Sequence, residues 1–257
     1  PILESIILSL RDGHVDFITS KKEVGFDFTL GYPENKPDFV DAYLHSKVRL
    51  NTSLETAKIK GAEIGYIRVV DFIGPRSSYD IIEEVLNDFK DKRGIIFDIR
   101  SNGGGNTENA LAIAARLIDQ ERIYRKHQYR LGVNRYEFTP WINTYISPIG
   151  TTAYQGKICV LTNRSTYSAA EDFVLMMRVR PNTITVGGAT GGGSGKPLWR
   201  VLPNGWKFRL SHWLVKTPED FFYEEIGIQP DFPMVITPED EAMHKDPILE
   251  KAIDLMK

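Results

Sequence analysis

One stretch constrains the fold more than any other, the run GIIFDIRSNGGGNTENALAIAARLI at residues 94–118. Its apolar residues 95–97 indicate a buried strand, which the polar Asp98 and Arg100 bring to an end. Three consecutive glycines at 103–105 follow, and a helical pattern begins directly after them. Glycine allows close backbone approaches that a Cβ forbids. The stretch therefore predicts a strand–loop–helix unit whose glycine loop is approached more closely than a side chain would allow.

Strand and helix patterns alternate along most of the chain, which predicts an α/β core. Strand patterns such as EIGYIRVVDF, KICVLTN and TITVGG alternate with helical stretches such as SAAEDFVLMMRVR and DPILEKAIDLM. We expect two parts, a small N-terminal lobe at residues 1–62 and the core at 63–257. Two insertions are predicted: an arm of hairpin character at 119–156, and a hairpin at 198–215 whose Asn204-Gly205 suits a type I′ turn. The arm is expected to be a surface hairpin, with a lid or an oligomer contact as alternatives.

Composition excludes several classes of protein. The net charge of -2 over 257 residues leaves no basic surface for nucleic acid or an anionic membrane. The single cysteine, Cys159, cannot form an intramolecular disulfide, and its apolar neighbours disfavour a reactive thiol. No run of 18 apolar residues predicts a membrane-spanning helix. The sequence begins at Pro1 inside a helical pattern, so we expect a targeting segment ahead of it and favour a periplasmic, secreted or membrane-anchored location.

Two segments are candidates for chemistry, and each has a simpler structural interpretation. The glycine loop could present backbone N–H groups to an anion, or it could be a tight turn. No phosphate-binding pattern accompanies it. Ser168 and Glu171 form a capping-box pattern, which would make the serine only a helix start. The same position would also aim the serine hydroxyl and the unpaired N–H of Ala169 at one point, as nucleophilic serine catalysis requires.

Taken together, four stretches resemble the C-terminal processing (tail-specific) peptidase family. They are DIRSNGGGN, VLTNRSTYSAAEDF, GGATGGG and EEIGIQPDF, which occur in the family's order between about residues 63 and 233. The resemblance implies a crotonase/Clp-like β-β-α core with a small N-terminal lobe and hairpin insertions. It also implies that Ser168 is the nucleophile. The oxyanion hole would use the N–H of Ala169 and that of Gly104 or its neighbour Gly103.

The family divides over the base that activates the serine, and this sequence favours histidine. Aligning Thr190 with the family's threonine places Gly193 where the lysine branch has its lysine, and Lys196 lies three residues off that pattern. The tricorn-like branch uses a histidine, which His14 in LRDGHVDF resembles. His212 is the rival base.

The branch's glutamate, which orients the histidine, maps to Glu224, with Glu225 one residue away. Because neighbouring side chains of an extended segment point to opposite sides, only one of the two can face the histidine. No histidine–carboxylate spacing of a metalloprotease occurs, so neither a metal nor another cofactor is expected.

The resemblance predicts a serine endopeptidase that hydrolyses peptides or unfolded proteins through an acyl-enzyme, with His14 as base and Glu224 orienting it. The alternative is a non-hydrolytic module of the same fold that binds a hydrophobic ligand or a peptide. An α/β-hydrolase esterase is disfavoured because Ser168 lacks the G-x-S-x-G pattern. No segment has the pattern of a PDZ domain, and a homo-oligomer is a possible state of assembly.

Overall fold

A computed structural model describes residues 2–32, 39–150 and 154–257. The strands, in chain order, are β1 (Asp16–Ile18), β2 (Glu23–Gly25), β3 (Leu44–Arg49), β4 (Leu54–Ile59), β5 (Ile64–Val69), β6 (Gly94–Asp98), β7 (Arg122–Tyr129), β8 (Ile142–Ile146), β9 (Lys157–Thr162), β10 (Thr183–Gly187), β11 (Pro197–Val201), β12 (Lys207–Ser211), β13 (Trp213–Lys216) and β14 (Phe232–Pro233). The helices are α1 (Ile2–Ser9), α2 (Ser77–Asp80), α3 (Ile82–Asp88), α4 (Thr107–Ala114), α5 (Ala169–Arg178), α6 (Pro238–Ala242) and α7 (Pro247–Met256), with a 3-10 helix at Val40–Tyr43.

The main sheet has the strand order β14-β10-β9-β6-β5-β4-β3 in the described part of the chain. Strands β5, β6, β9 and β10 are parallel, and β3 and β4 extend the sheet as antiparallel strands. Apolar side chains of α3, α4 and α5 fill one face, and those of α7 cover the other. The α/β fold expected from the strand and helix patterns is confirmed.

The direction of the parallel strands decides which loops emerge at the same edge of the main sheet. The glycine loop follows β6, the segment that ends at Ser168 follows β9, and the second glycine-rich loop follows β10. Because β6, β9 and β10 are parallel neighbours, these three loops emerge at one edge. The fold thus brings together three sequence stretches that lie up to about 90 residues apart in the chain.

Two smaller sheets lie outside the main one and differ from the predicted division into lobe and core. One sheet has the order β11-β12-β1-β2, so the N-terminal strands pair with the hairpin at 197–211. The other has the order β13-β7-β8, in which β7 and β8 belong to the arm and β13 lies outside it. Strands β3 and β4, within the predicted lobe, complete the main sheet instead. The reason is physical, since β4 buries residues such as Leu54 and Ala57 when it pairs with β5.

The β11–β12 hairpin is present, but its turn is not type I′. A type I′ turn needs positive φ at both central residues, and Gly205 is the only residue of the turn with a positive φ, of 80°. The Gly205 N–H donates to the Leu202 carbonyl at 2.9 Å, so Pro203 and Asn204 are the central residues. Proline fixes φ near −65°, which excludes the mirror-image turn and places the left-handed residue one position later.

Candidate active site

Ser168 lies at the start of α5 in a backbone conformation that is rare for a residue with a side chain. Its φ is 56° and its ψ is −122°. Strained residues of this kind persist only where the surrounding structure holds them, and they concentrate at functional sites. The Glu171 carboxylate accepts the Ser168 N–H at 3.0 Å, so the carboxylate half of the predicted capping box is present. Ser168 is therefore both the N-cap of α5 and an anchored, strained residue.

The glycine loop packs directly against this serine, which explains why the sequence excludes side chains there. A Cβ on Gly104 would lie 2.6 Å from the Tyr167 carbonyl oxygen, 2.8 Å from the Ala169 nitrogen and 2.9 Å from the Ser168 Cβ. Gly104 also has a φ of 95°. By contrast, a Cβ on Gly103 would meet nothing within 4 Å. The group that comes closest to Gly104 in this structure is thus the backbone around Ser168.

Backbone N–H groups beside Ser168 are available to an oxygen of a bound molecule. The N–H of Ala169, the first residue of α5, has no hydrogen-bond partner among the described residues. The Gly104 N–H is occupied, because it donates to Asn102 Oδ1 at 2.9 Å. The Phe72 N–H donates to the Gly104 carbonyl, and the Asn106 N–H donates to the Phe72 carbonyl. The carbonyl of Gly104 and the N–H of Gly105 belong to one trans peptide group and point in opposite directions, so the Gly105 N–H points away from Phe72. Gly105, Ser168 and Ala169 line the same cleft.

Glu171 connects the serine segment to the loop that follows β10. Its side chain is fully buried and accepts four hydrogen bonds. Besides the Ser168 N–H, these come from the Thr190 hydroxyl at 2.5 Å and from the N–H groups of Gly192 and Gly193 at 2.8 Å each. Burial raises the pKa of Glu171 to about 7, and the four hydrogen bonds oppose this rise because they stabilise the carboxylate.

A buried ion-pair cluster supports the glycine loop from below. Arg100 lies two residues after the end of β6 and is buried. Its guanidinium donates to the Asp98 carboxylate at 2.6 Å and to Asp246 Oδ1 at 3.0 Å. Asp246 is the N-cap of α7, and Tyr66 of β5 donates to Asp98 at 2.8 Å. The cluster ties the end of β6 to a neighbouring strand and a helix, and so it fixes where the glycine loop begins.

His14 reaches the site from the N-terminal segment and packs against the residue before the serine. Its ring centroid lies 4.7 Å from that of Tyr167, and the side chain is buried. Burial lowers the pKa of His14 to about 4; the nearby Arg209 adds to this, whereas Asp12 opposes it. The Nδ1 atom is 3.8 Å from Asp12 Oδ1. Neither ring nitrogen is hydrogen-bonded to Ser168 or to any other described residue.

Glu224 lies in the same neighbourhood but binds a serine rather than His14. Its Oε2 accepts the Ser194 N–H at 2.8 Å and a short hydrogen bond from the Ser194 hydroxyl. The other oxygen, Oε1, is buried and has no hydrogen-bond partner among the described residues. Burial, and next the negative charge of Asp12, raise the pKa of Glu224 to about 7.

The alternative site residues lie in less suitable surroundings. Glu225 is directed to the surface, where it forms an ion pair with Arg11 at 3.0 Å. Lys196 is exposed, with its Nζ 5.4 Å from the centroid of the Trp213 ring. His212 forms a short hydrogen bond through Nδ1 to the Lys196 carbonyl. A Cβ on Gly193 would lie 1.9 Å from the Tyr167 ring, so a lysine could not replace this glycine without displacing that ring.

A cleft with a volume of about 560 Å³ opens beside Ser168 between the core and the arm. The core side is formed by the N-terminal ends of α4 and α5 and by residues 193–197. The arm side carries aromatic residues of β7, β8 and β13, which include Tyr124, Tyr145 and Trp213. Arg125 of β7 binds Asp172 of α5 at 2.5 Å and so fastens the arm to the core. The arm is therefore a wall of this cleft, rather than the plain surface hairpin that the sequence suggested.

Sequence reasoning missed two contributions to this site. Ser194 lies in the glycine-rich loop, and nothing in its neighbours showed that it would bind Glu224. Tyr167, the residue before the serine, was overlooked. Its ring packs between the ring of His14 and that of Phe28, whose centroid is 3.9 Å away.

Among the described residues there is no group of His, Cys, Asp and Glu side chains that could hold a metal ion, and no helix long and apolar enough to cross a membrane.

Residues 63–234, more than half of the chain, match the model of Peptidase family S41. A curated relative, tricorn protease from Thermoplasma acidophilum, is 27% identical over 220 residues. That similarity covers 82% of this chain but 18% of the relative, so the chain spans about a fifth of the length of tricorn protease.

Solved structures share the fold. A protein from Parabacteroides merdae, proposed to be a peptidase, superposes with a TM-score of 0.90 at 33% identity, covering 99% of this chain and 81% of that one. The photosystem II D1 C-terminal processing protease superposes with a TM-score of 0.54 at 21% identity, covering 72% of this chain and 47% of that one. The fold predicted from the four stretches of sequence is confirmed.

Proposed function

This chain belongs to Peptidase family S41, a family of serine peptidases, and from that premise we propose that it is an endopeptidase whose nucleophile is Ser168. The observation that carries the proposal is the strained backbone of Ser168 at the start of α5, with the unpaired N–H of Ala169 beside it. A serine whose hydroxyl faces a cleft needs such a donor to stabilise the oxyanion of an acyl-transfer reaction.

The second oxyanion donor in this proposal is Gly105 rather than Gly104. The Gly104 N–H already binds Asn102, whereas the Gly105 N–H points away from Phe72 and Gly105 lines the cleft. Gly104 contributes through the absence of its Cβ, because only a glycine lets the loop contact the Ser168 backbone. Each oxyanion donor contributes about 3 kcal/mol to the stability of the transition state.

His14 is the proposed general base. In acylation, the Ser168 Oγ forms a bond to the carbonyl carbon of the peptide while the imidazole takes the hydroxyl proton. The tetrahedral intermediate then collapses, the C–N bond breaks, and the imidazolium donates that proton to the leaving amine. Water releases the acyl group by the same steps. The burial of His14 keeps its imidazole neutral at pH 7, as a base requires. To act, the ring must form the hydrogen bond to the Ser168 hydroxyl that this structure does not contain.

Glu224 is proposed to stabilise the imidazolium that forms during these steps. Its Oε1 is buried and has no hydrogen-bond partner among the described residues, which leaves a negative charge for a cation to compensate. Because its pKa is raised to about 7, this support is lost when the pH falls below 7 and the carboxyl becomes protonated. Ser194 holds the other oxygen and so fixes the orientation of the carboxylate.

The substrates proposed are peptides or unfolded segments of protein. The cleft beside Ser168 is open between core and arm, and its aromatic wall suits the apolar side chains that folded proteins bury. Two helix N-termini face the cleft as well, which favours the carbonyl oxygens of an extended peptide.

Hydrolysis of a fluorogenic peptide library by wild type, Ser168→Ala and Ser165→Ala tests this proposal. Ser165 lies three residues from Ser168 in the same segment and is the matched control. We expect turnover to fall by about 10⁴-fold or more in Ser168→Ala and to stay within twofold in Ser165→Ala. The loss of the capping serine should cost roughly 1 kcal/mol of stability, as measured by denaturant unfolding. Undiminished hydrolysis in Ser168→Ala contradicts the proposal, and a wild type that binds peptides without cleaving them supports the binding module instead.

A further inference from the structure

Arg164 lies four residues before Ser168 and binds three other segments of the site at once. Its Nε donates to the Phe28 carbonyl at 2.8 Å, its Nη1 to the Thr190 carbonyl at 2.9 Å, and its Nη2 to the Glu225 carbonyl at 2.8 Å. A longer bond of 3.3 Å from Nη1 reaches the Ile226 carbonyl. The side chain is buried, with 7% of its surface exposed.

The three segments are those that deliver the other proposed catalytic groups. Phe28 belongs to the N-terminal segment and packs on Gly13, the residue before His14, since a Cβ on that glycine would lie 2.6 Å from the Phe28 ring. The Glu225 carbonyl belongs to the residue directly after Glu224. Thr190 belongs to the loop whose N–H groups bind Glu171.

The chemistry of this contact is specific to arginine. A guanidinium has five N–H donors fixed in a plane, so it can bind carbonyl groups that lie in different directions. Lysine keeps the charge but concentrates its donors at one atom. No carboxylate forms an ion pair with Arg164 in the described part of the chain, and the ring of Tyr32 lies 4.0 Å from the guanidinium carbon. Carbonyl groups and one aromatic ring therefore compensate this buried charge.

We propose that Arg164 is a positioning residue whose guanidinium holds the segments of His14 and Glu224 against Ser168, so that the reactive groups are aligned only while Arg164 is in place. This inference rests on the proposed function for its catalytic consequence. Its structural part, the fixing of the segments at 10–32 and 222–228, holds independently of any activity.

The chain offers a matched control in Arg180, which has the same chemistry at the opposite end of α5. Arg180 is buried and donates to the carbonyls of Leu117 at 2.8 Å, Pro181 at 2.9 Å and Gly156 at 3.0 Å, and it forms a short bond to that of Tyr154. The helix between the two arginines has ten residues and is about 15 Å long. Loss of Arg180 should therefore disturb packing at a distance from Ser168.

The experiment compares Arg164→Lys with Arg180→Lys, using peptide turnover and hydrogen–deuterium exchange followed by mass spectrometry. In Arg164→Lys we expect kcat to fall at least tenfold, and towards about 100-fold, with KM within threefold of wild type, because misalignment affects the chemical step more than binding. Exchange should become faster in peptides that cover 10–32 and 222–228, and stay unchanged in β6. In Arg180→Lys we expect kcat within twofold, although this variant also loses stability.

A kcat within twofold of wild type in Arg164→Lys, or an equal loss in Arg180→Lys, overturns the proposal. If wild type has no hydrolytic activity, the proposed function has failed, and the exchange data alone then decide the role of Arg164. Unchanged exchange at 10–32 and 222–228 would refute that role. Arg164→Gln, which keeps two donors, serves as the second variant if Arg164→Lys does not fold, and the same outcomes apply to it.

Discussion

Two buried carboxylates of the site, Glu171 and Glu224, have the same raised pKa of about 7 but different surroundings. Glu171 accepts hydrogen bonds from four groups on two chain segments, and each of its oxygens is engaged. Within the described part of the chain, Glu224 binds only Ser194, and its Oε1 is buried without a partner. A perturbed pKa therefore identifies a functional site but not the role of the residue in it. The number of hydrogen-bond donors that each carboxylate accepts distinguishes one that fixes structure from one that can respond to a nearby charge.

The largest effect is expected from Glu171→Gln. A glutamine offers one acceptor oxygen. In one orientation its amide NH₂ faces the backbone N–H groups of both Ser168 and Gly193, and in the other it faces that of Gly192. A buried donor left unpaired costs about 1–3 kcal/mol, and the loops around Ser168 lose their common anchor. We expect a loss of roughly 2–4 kcal/mol in denaturant unfolding together with a loss of hydrolysis greater than 100-fold.

If Glu171→Gln is about as stable as wild type, Glu171 is not the carboxylate that fixes the structure around Ser168. Thr190→Val serves as a second check. It removes the hydroxyl that donates to Glu171 and accepts the Ile228 N–H, while the three backbone donors to Glu171 stay in place. Because those donors still hold the loop, its loss of hydrolysis should be smaller than that of Glu171→Gln.

Glu224→Gln should reduce activity with little effect on stability at neutral pH. Without a negative charge to stabilise the imidazolium, we expect kcat to fall by about 10²–10⁴-fold. The pH profile is the sharper measurement. In wild type, kcat/KM should fall as the pH decreases through about 7, where Glu224 becomes protonated, and this limb should be absent in the variant. Persistence of the limb in Glu224→Gln would assign it to another group.

The same variant should also change how stability depends on pH. A carboxyl whose pKa is raised by folding binds its proton more tightly in the native state, so its contribution to stability is complete below about pH 4.5 and is lost as the pH rises through 7. Unfolding free energies between pH 5 and pH 8 should therefore fall less in Glu224→Gln than in wild type.

The smallest effect is expected from Ser194→Ala. The variant removes the hydroxyl that binds Glu224 and leaves the backbone N–H bond, so kcat should fall by less than about tenfold. Since both bonds of Ser194 lower the pKa of Glu224, loss of one should move the limb of kcat/KM to higher pH. A limb that stays in place, or moves to lower pH, would show that Ser194 does not control this carboxylate.

The sequence predicted those parts of the site that depend on local patterns. The strand, the three glycines and the helix of residues 94–118 established the unit that contacts Ser168, and the capping-box spacing located the start of α5. The pairing of Glu171 with Gly192 and Gly193 was not predictable, because it joins residues about 20 positions apart through the parallel pairing of β9 and β10. The turn at Pro203 was mispredicted because Asn204-Gly205 was considered without the proline before it.

The arm and the N-terminal segment show a further limit of sequence patterns. Tyrosines and a tryptophan in alternating strands indicate a sheet, but not which cleft the sheet borders. In the same way, nothing near His14 in the sequence indicates that its ring packs on Tyr167, more than 150 residues later. Contacts of this kind arise from tertiary packing and carry no local signal.

Whether Ser168 is an activated nucleophile is tested by fluorophosphonate labelling of the purified protein, with the modified residue located by mass spectrometry. A fluorophosphonate reacts with an activated serine, whose oxygen bonds to phosphorus as fluoride leaves, and the reagent requires no knowledge of the natural substrate. We predict one adduct, at Ser168, lost in His14→Ala and retained in Lys196→Ala. A folded wild-type protein that remains unlabelled, or an adduct at Ser168 that survives His14→Ala and disappears in Lys196→Ala, would contradict the account.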